Sequence, residues 1–196
     1  MGKIVCLMGR SSSGKDTIYK KLLEQNKVVL QPIVPYTTRP IRAGEKEGVE
    51  YHFTDEAGFQ ELLGTGSIIE SRVYHTCLGM WRYFTIADEA IRLSENSYMM
   101  IGTLEAYAQM CRFYGSDNVL PVMIELDDGV RLQRALDREK TQDCPKYEEM
   151  CRRFLADAED FSEDKLKKAG IGERFYNDDL DKCLEEIISY LQDNLV

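Results

Sequence analysis

The stretch Gly9-Arg10-Ser11-Ser12-Ser13-Gly14-Lys15-Asp16-Thr17 constrains this chain more than any other. It follows Ile4-Val5-Cys6-Leu7-Met8, an apolar run too short for a helix and rich enough in Ile and Val to read as a buried parallel strand. From Thr17 to Glu24 the chain reads as a helix with Ile18 and Leu22 on one face. Strand, glycine loop and helix are the setting of a phosphate-binding loop. Glycines let the backbone curl so that its N–H groups point inward, the helix N-terminus adds partial positive charge, and Lys15 reaches the outer phosphates. Gly9, Ser11, Ser12, Ser13, Gly14, Lys15, Asp16 and Thr17 are therefore the candidate triphosphate ligands. The pattern calls for Ser or Thr directly after the lysine, and here Asp16 stands there with Thr17 one place later. The motif points to a nucleoside triphosphate site with an altered metal shell.

A chain of 196 residues suits one α/β domain with small insertions. Its net charge of −9 argues against a nucleic-acid surface, though an acidic protein can still hold a locally positive cleft for a phosphorylated small substrate. The six cysteines (Cys6, Cys77, Cys111, Cys144, Cys151 and Cys183) show no paired C-x-x-C spacing and read as small buried hydrophobes in a reducing compartment. No signal peptide or long apolar span is visible, so the expected location is the cytoplasm, away from membranes.

Further along, Val28–Val34 is a second apolar run ending at Pro35. A polar, turn-rich stretch follows, Tyr36-Thr37-Thr38-Arg39-Pro40-Ile41-Arg42-Ala43-Gly44-Glu45, with two arginines three apart. Helical spacing is expected from Thr54 to Leu63, and strands at Ile68–Tyr74 and Trp81–Ile86. Residues 36–86 thus read as an α+β insertion. Later come a strand at Tyr98–Ile101, a helix at Leu104–Tyr114 and a strand at Val119–Leu126, in which Pro121 suggests an edge or irregularity. Two charged helices follow, Asp127–Lys140 and Tyr147–Asp160, then a short strand at Arg174–Asn177 and an amphipathic helix from Leu180. Strands alternating with helices predict a parallel sheet with helices on both faces, and its ligands belong at the carboxyl ends of the strands.

The arginines narrow the chemistry. Arg39 and Arg42, with Tyr51 nearby, offer guanidinium forks and a hydroxyl for phosphate oxygens. Arg134, Arg138 and Arg153 form a second cluster on the charged helix pair, which read alone is equally a solvated face. Phosphoryl transfer needs positive charge on both phosphates and on the oxygens between them, and two arginine clusters flanking Lys15 supply it.

From its first strand to its last helix the chain resembles guanylate kinase, of the P-loop nucleoside monophosphate kinases. The resemblance rests on the loop, on Thr37-Thr38-Arg39-Pro40-Ile41-Arg42-Ala43-Gly44-Glu45 with Tyr51, on Ile68-Ile69-Glu70, on Arg134-x-x-x-Arg138 with Arg153, and on Asn177-Asp178. It implies ATP-dependent phosphorylation of GMP and dGMP to GDP, with Mg²⁺ as cofactor and ATP and GMP as partners, by a monomer or weak homo-oligomer. The core would be 1–35, 87–136 and 153–196, the insertion 36–86 would bind the monophosphate, and 137–152 would form a helical lid. By position, Arg39, Arg42 and Tyr51 would hold the acceptor phosphate, and Glu70 would accept from guanine N1–H and the 2-amino group. Read without the resemblance, Glu70 is a surface glutamate ending a strand. Arg134 and Arg138 would grip the donor, Arg153 the transferring phosphoryl group, and Asn177 would sit against adenine. Lys15, Arg39, Arg138 and Arg153 are the catalytic candidates.

Several positions depart from the family pattern. Leu78-Gly79-Met80 stands where the family has Tyr-Gly-Ser or Tyr-Gly-Thr, Pro35 where it often has a guanine-contacting serine, and Gly102-Thr103-Leu104-Glu105 where a strand usually ends Asp-x-Asp. Tyr74, His75 and Thr103 are candidate replacements, with Thr103 taken as substrate-binding. For the metal, Asp16 beside Thr17 is read as supplying the charge that the core strand lacks, or as merely complementing the helix N-terminus. Two further readings stay open: a ribose 1,5-bisphosphate phosphokinase-like enzyme, which shares the Gly-Lys-Asp variant, and a non-catalytic guanylate-kinase-like binding module.

Overall fold

Why the first strand sits at the centre is plain from its burial. In the computed structural model, which describes all residues except 43, 77, 78, 88–90 and 196, β1 (Ile4–Gly9) is buried along its whole length. It pairs in parallel with β7 (Tyr98–Ile101) on one side and β8 (Val119–Glu125) on the other. The short strands β2 (Gln31–Pro32) and β9 (Arg174–Tyr176) complete a parallel sheet in the order β2-β7-β1-β8-β9. Side chains of β1 alternate between two cores, as a strand covered on both faces requires. Val5 and Leu7 meet Ile18 and Leu22 of α1 (Lys15–Gln25) and Ile187 and Leu191 of α7 (Leu180–Asn194). Ile4, Cys6 and Met8 meet Tyr107 and Met110 of α3 (Leu104–Tyr114) and Leu166 of α6 (Glu163–Lys168). Each fully buried aliphatic side chain of this kind stabilises the fold by about 1.5–3 kcal/mol.

The two prolines in the sheet sit where a missing N–H does no harm. Gln31 N–H donates to Ser97 and Ile33 N–H to Met99, so Pro32 faces outward on the edge strand. The Val28–Val34 run accordingly yields only two ladder residues. Pro121 lies in an inner strand, not at an edge. Glu125 C=O accepts from Asn177 N–H, so alternate residues of β8 turn toward β9, whose pairing begins only at Met123, past Pro121.

Between β2 and β7 the chain forms a second sheet, β4-β3-β6-β5, from β3 (Tyr36–Thr37), β4 (His52–Phe53), β5 (Ile68–Thr76) and β6 (Gly79–Ile86). Its β5–β6 hairpin is antiparallel and aligns Glu70 with Thr85 and Arg72 with Tyr83. Helix α2 (Glu56–Gly64) packs Phe59 edge-on to Phe84, and its N-cap is Asp55, which accepts from Gly58 N–H, so the helix starts two residues after Thr54. The charged helices are α4 (Asp128–Lys140), capped by Asp127, and α5 (Tyr147–Asp160). Cys6 and Cys183 are buried as expected, but Cys144 and Cys151 are exposed thiols on the polar helix pair; Cys77 lies outside the described residues. No helix among the described residues is long and apolar enough to cross a membrane.

Candidate active site

The loop after β1 is held in a shape few sequences tolerate. Ser12 has φ 62° and Gly14 φ 90°, and α1 begins at Lys15, earlier than the apolar spacing suggests. A Cβ on Gly14 would come within 2.2 Å of Asn177 Nδ2, so glycine is required there by contact as well as by φ. That Nδ2 donates to Ser13 C=O at 2.7 Å. Asn177 is thus buried beneath the loop and braces it, whereas the resemblance had set it against adenine. The hydroxyls of Ser12 and Ser13 are buried with no protein partner. Buried donors without partners, at a helix N-terminus, fit an anion.

Helices α4 and α5 close over the loop's first half. Arg131, almost wholly buried, bonds Asp128 twice (3.0 and 2.6 Å) and donates to Ser11 C=O at 3.0 Å. Its guanidinium lies 4.7 Å from the Phe154 ring centroid. The Arg131 hydrogen bonds hold the Asp128 carboxyl below the usual carboxylate range. Asp157 of α5 accepts from Ser11 N–H at 2.7 Å and lies 3.7 Å from Arg131. Arg153, one turn earlier on α5, reaches Ser11 Oγ at 3.5 Å. Arg134 and Arg138 are exposed, and Arg134 Nη1 is 3.8 Å from the point a Gly14 Cβ would occupy. Lys15 Nζ is 3.8 Å from Asp16, whose side chain is 76% exposed beside the exposed Thr17. Among the described residues no group of three or more His, Cys, Asp or Glu could hold a metal ion.

The second sheet presents the other arginines. Arg39 is buried and pairs in parallel with Glu45, Nη1 to Oε2 at 3.0 Å and Nη2 to Oε1 at 2.8 Å. Further bonds run to Pro40 C=O at 2.8 Å and to the Tyr83 hydroxyl at 3.1 Å. Burial alone would raise the Glu45 carboxyl, but the hydrogen bonds from Arg39 and from Arg42 N–H bring it below its ordinary value. Tyr51 and Phe53 flank the Arg39 guanidinium at 5.4 and 5.7 Å. Burial pushes the Tyr51 phenol up, which keeps it a neutral donor. Arg42 is exposed beside this clamp, its guanidinium free to meet a phosphate.

Glu70 sits lower in the hairpin, its side chain wholly buried. It accepts from Arg72 Nε at 3.0 Å, from Arg72 Nη2 at 3.2 Å and from Thr85 Oγ at 2.8 Å. Thr103 caps α3 by accepting from Ala106 N–H. Met80 is exposed and Leu78 lies outside the described residues.

These parts converge on a cavity of about 750 Å³. The loop side contributes Gly9, Ser11, Lys15 and Asp16; α5 contributes Arg152, Arg153 and Asp157; the second sheet contributes Arg39, Arg42, Glu45, Tyr51, Arg72, Tyr74 and Tyr83; Pro35 and Thr103 complete the wall. Glu70, Arg134, Arg138 and Asn177 are not among its lining residues.

A family model described as guanylate kinase matches residues 1–91. A guanylate kinase of Wolbachia pipientis wMel is 31% identical over 192 residues, covering 97% of this chain and 89% of that one. The guanylate kinase of Schizosaccharomyces pombe is 40% identical over 72 residues, covering 37% of this chain and 36% of its own. The chain belongs to the guanylate kinase family. The crystal structure of guanylate kinase from Anaplasma phagocytophilum shares the fold, with TM-score 0.68 and 24% identity over 100% of this chain and 87% of that one.

In this guanylate kinase family member, four residues that sequence reasoning did not single out line the cavity or hold its loop: Glu45, Arg72 and Asp157 in the wall, and Arg131 against Ser11. Glu45 was visible inside the Ala-Gly-Glu triplet. Arg72 follows Glu70 by two residues, the spacing that puts both on one face of a strand. Asp157 follows Arg153 by four, one turn along the same helical face, and Arg131 follows Asp128 by three.

Proposed function

We propose that this chain transfers the γ-phosphoryl group of ATP to GMP or dGMP, as a cytoplasmic enzyme of purine nucleotide metabolism acting as a monomer or weak homo-oligomer. The observation that carries the reading is one cavity with a phosphate loop and Lys15 at one end and Arg39, Arg42 and Tyr51 at the other. Two phosphorylated substrates fit head to head in such a space, with Arg153 on the α5 wall beside Ser11 of the loop. Lys15 and the loop N–H groups hold the donor phosphates. Arg42 and the Tyr51 hydroxyl hold the acceptor phosphate, next to the Arg39–Glu45 clamp that fixes their segment. Arg153 offsets charge on the transferring group, and residues 137–152 cover the site so that water does not compete for the phosphoryl group. Positioning and electrostatics suffice for this chemistry, and no histidine is required.

Mg²⁺ fits the oxygen groups at the mouth. The exposed Asp16 carboxylate lines the cavity 3.8 Å from Lys15 Nζ, with the exposed Thr17 next in the chain, and a small hard cation that keeps its waters and binds phosphate needs no larger protein shell. Bound there, it would neutralise charge on the donor phosphates. Asp16→Asn is expected to raise the Mg²⁺ requirement sharply, and an unchanged Mg²⁺ titration would show that Asp16 only complements the helix terminus. Coupled ADP release with ATP and Mg²⁺, across GMP, dGMP, AMP, CMP, UMP and ribose 1,5-bisphosphate, tests the whole proposal. Turnover of GMP and dGMP is the expected result. Turnover of the phosphosugar alone, or of nothing while ATP still binds, would overturn it.

A further inference from the structure

Two neighbouring side chains on β5 decide which face of a purine this pocket can recognise. Glu70 has the chemistry to accept from N1–H and a 2-amino group, but both of its oxygens are already taken by Arg72 and Thr85, and its side chain has no exposed surface. Withdrawing it toward a ligand would leave a buried guanidinium unpaired, which is a costly arrangement. Arg72 is the member of the pair that lines the cavity, with 11% of its side chain exposed. It holds Glu70 side-on through Nε and Nη2, so the edge formed by Nη1 and the remaining Nη2 hydrogen faces away from the carboxylate. The Tyr74 hydroxyl also bonds Arg72, yet five N–H groups are not exhausted by these partners. Tyr74 and Tyr83, packed edge to face at 5.4 Å, form the apolar wall beside it.

We propose that Arg72, not Glu70, reads the base, donating from its outer edge to O6 and N7 of guanine, with Glu70 as the positioning residue that holds the fork. The inference rests on the purine monophosphate reading above and gives it a different specificity. A carboxylate reader bonded to the 2-amino group would reject a purine lacking that group by orders of magnitude, because its oxygen would be left unpaired. An arginine reader does not see the 2-amino group. It accepts any purine with acceptors at both O6 and N7, and it meets the 6-amino group of adenine donor to donor.

The test is steady-state phosphorylation of GMP, IMP, 7-deaza-GMP and AMP by the unmodified protein. Expected are kcat/KM values for IMP within about tenfold of GMP, and for 7-deaza-GMP and AMP lower by roughly 5- to 100-fold or more. Arg72→Met, with its fold checked by thermal melting, releases Glu70. The preference for GMP over IMP should then rise by about tenfold or more, a ratio that a general loss of structure would not move. An IMP penalty above tenfold in the unmodified protein, or 7-deaza-GMP used as well as GMP, would overturn the inference and leave GMP phosphorylation standing. Failure of every purine monophosphate would overturn the underlying function, and this inference with it.

Discussion

Replacing Glu45 by glutamine tests how the acceptor segment is held. The substitution keeps the side chain's shape and one carbonyl oxygen but removes the charge and one acceptor. Arg39 then loses one of its two parallel bonds to Glu45, and the bond that Glu45 Oε2 accepts from Arg42 N–H competes for the oxygen that remains. The pair is well shielded, with side chains 3% and 17% exposed, so solvent does not restore what is lost. Deleting one partner of a buried pair outright costs about 3–5 kcal/mol, and Glu45→Ala should approach that figure. Glu45→Gln removes one charge-assisted bond and should cost about 1.5–3 kcal/mol. Urea denaturation measures this directly. A cycle with Arg39→Lys should show a coupling of about 2 kcal/mol, since two side chains in contact do not act additively. The same variant should raise KM for GMP by about tenfold or more, at 1.4 kcal/mol per decade, while KM for ATP stays within about twofold. Unchanged stability with unchanged KM for GMP would refute the reasoning. It would mean that the Tyr51 and Phe53 rings, not the carboxylate, hold the Arg39 guanidinium. An equal rise in both KM values would refute it differently, by showing that the effect is not confined to the acceptor end.

Three further outcomes follow from the same geometry. Gly14→Ala forces a side chain into φ 90° and toward Asn177 Nδ2; it should cost about 2–4 kcal/mol in a thermal melt and abolish measurable ATP binding by calorimetry, and wild-type ATP affinity would show the loop to be more plastic than it looks. Asp157→Asn removes a negative charge from the loop's first N–H contact, so ATP should bind severalfold more tightly at low salt and the gain should shrink as salt is added; weaker binding would show that the carboxylate organises the loop rather than opposing the nucleotide. Glu45 and Asp128 both titrate below their ordinary values of 4.5 and 3.8. A group depressed in the folded state stabilises it above the ordinary value and loses that effect as pH falls through the folded one. The urea midpoint should therefore hold steady down to about pH 5 and fall steeply below about pH 4, and a flat profile to pH 3 would contradict the carboxylate–arginine contacts.

The sequence made the long, regular elements legible. Helices at Leu104–Tyr114 and Tyr147–Asp160 and the strand at Tyr98–Ile101 begin and end where their apolar spacing does, because periodicity and burial agree there. Helix α6, six residues long, was not legible, since fewer than two turns show no period. At the site, the loop and the Arg39–Arg42 segment were readable because a phosphate cradle needs particular residue types at fixed spacing. The pairing of Ser11 with Asp157 joins residues 146 apart in the chain, and only the packing of α5 on the loop reveals it. Glu70 shows a subtler limit. Its carboxylate has the chemistry of a base reader, but that Arg72, two residues along the strand, bonds both of its oxygens is visible only once the side chains are placed.

That Asp157–Ser11 contact also fixes the mechanics of the helix that carries Arg153. A helix anchored near one end, here through Arg153, Phe154 and Asp157, moves as a lever, and its stroke grows with distance from that end. Arg153 lies four residues from Asp157 and Tyr147 ten, about 6 and 15 Å along the axis at 1.5 Å per residue. A tilt of about 20° would carry the far end through roughly 5 Å but Arg153 through only about 2 Å. The bend at 141–146 can therefore swing widely while Arg153 stays beside Ser11 of the loop.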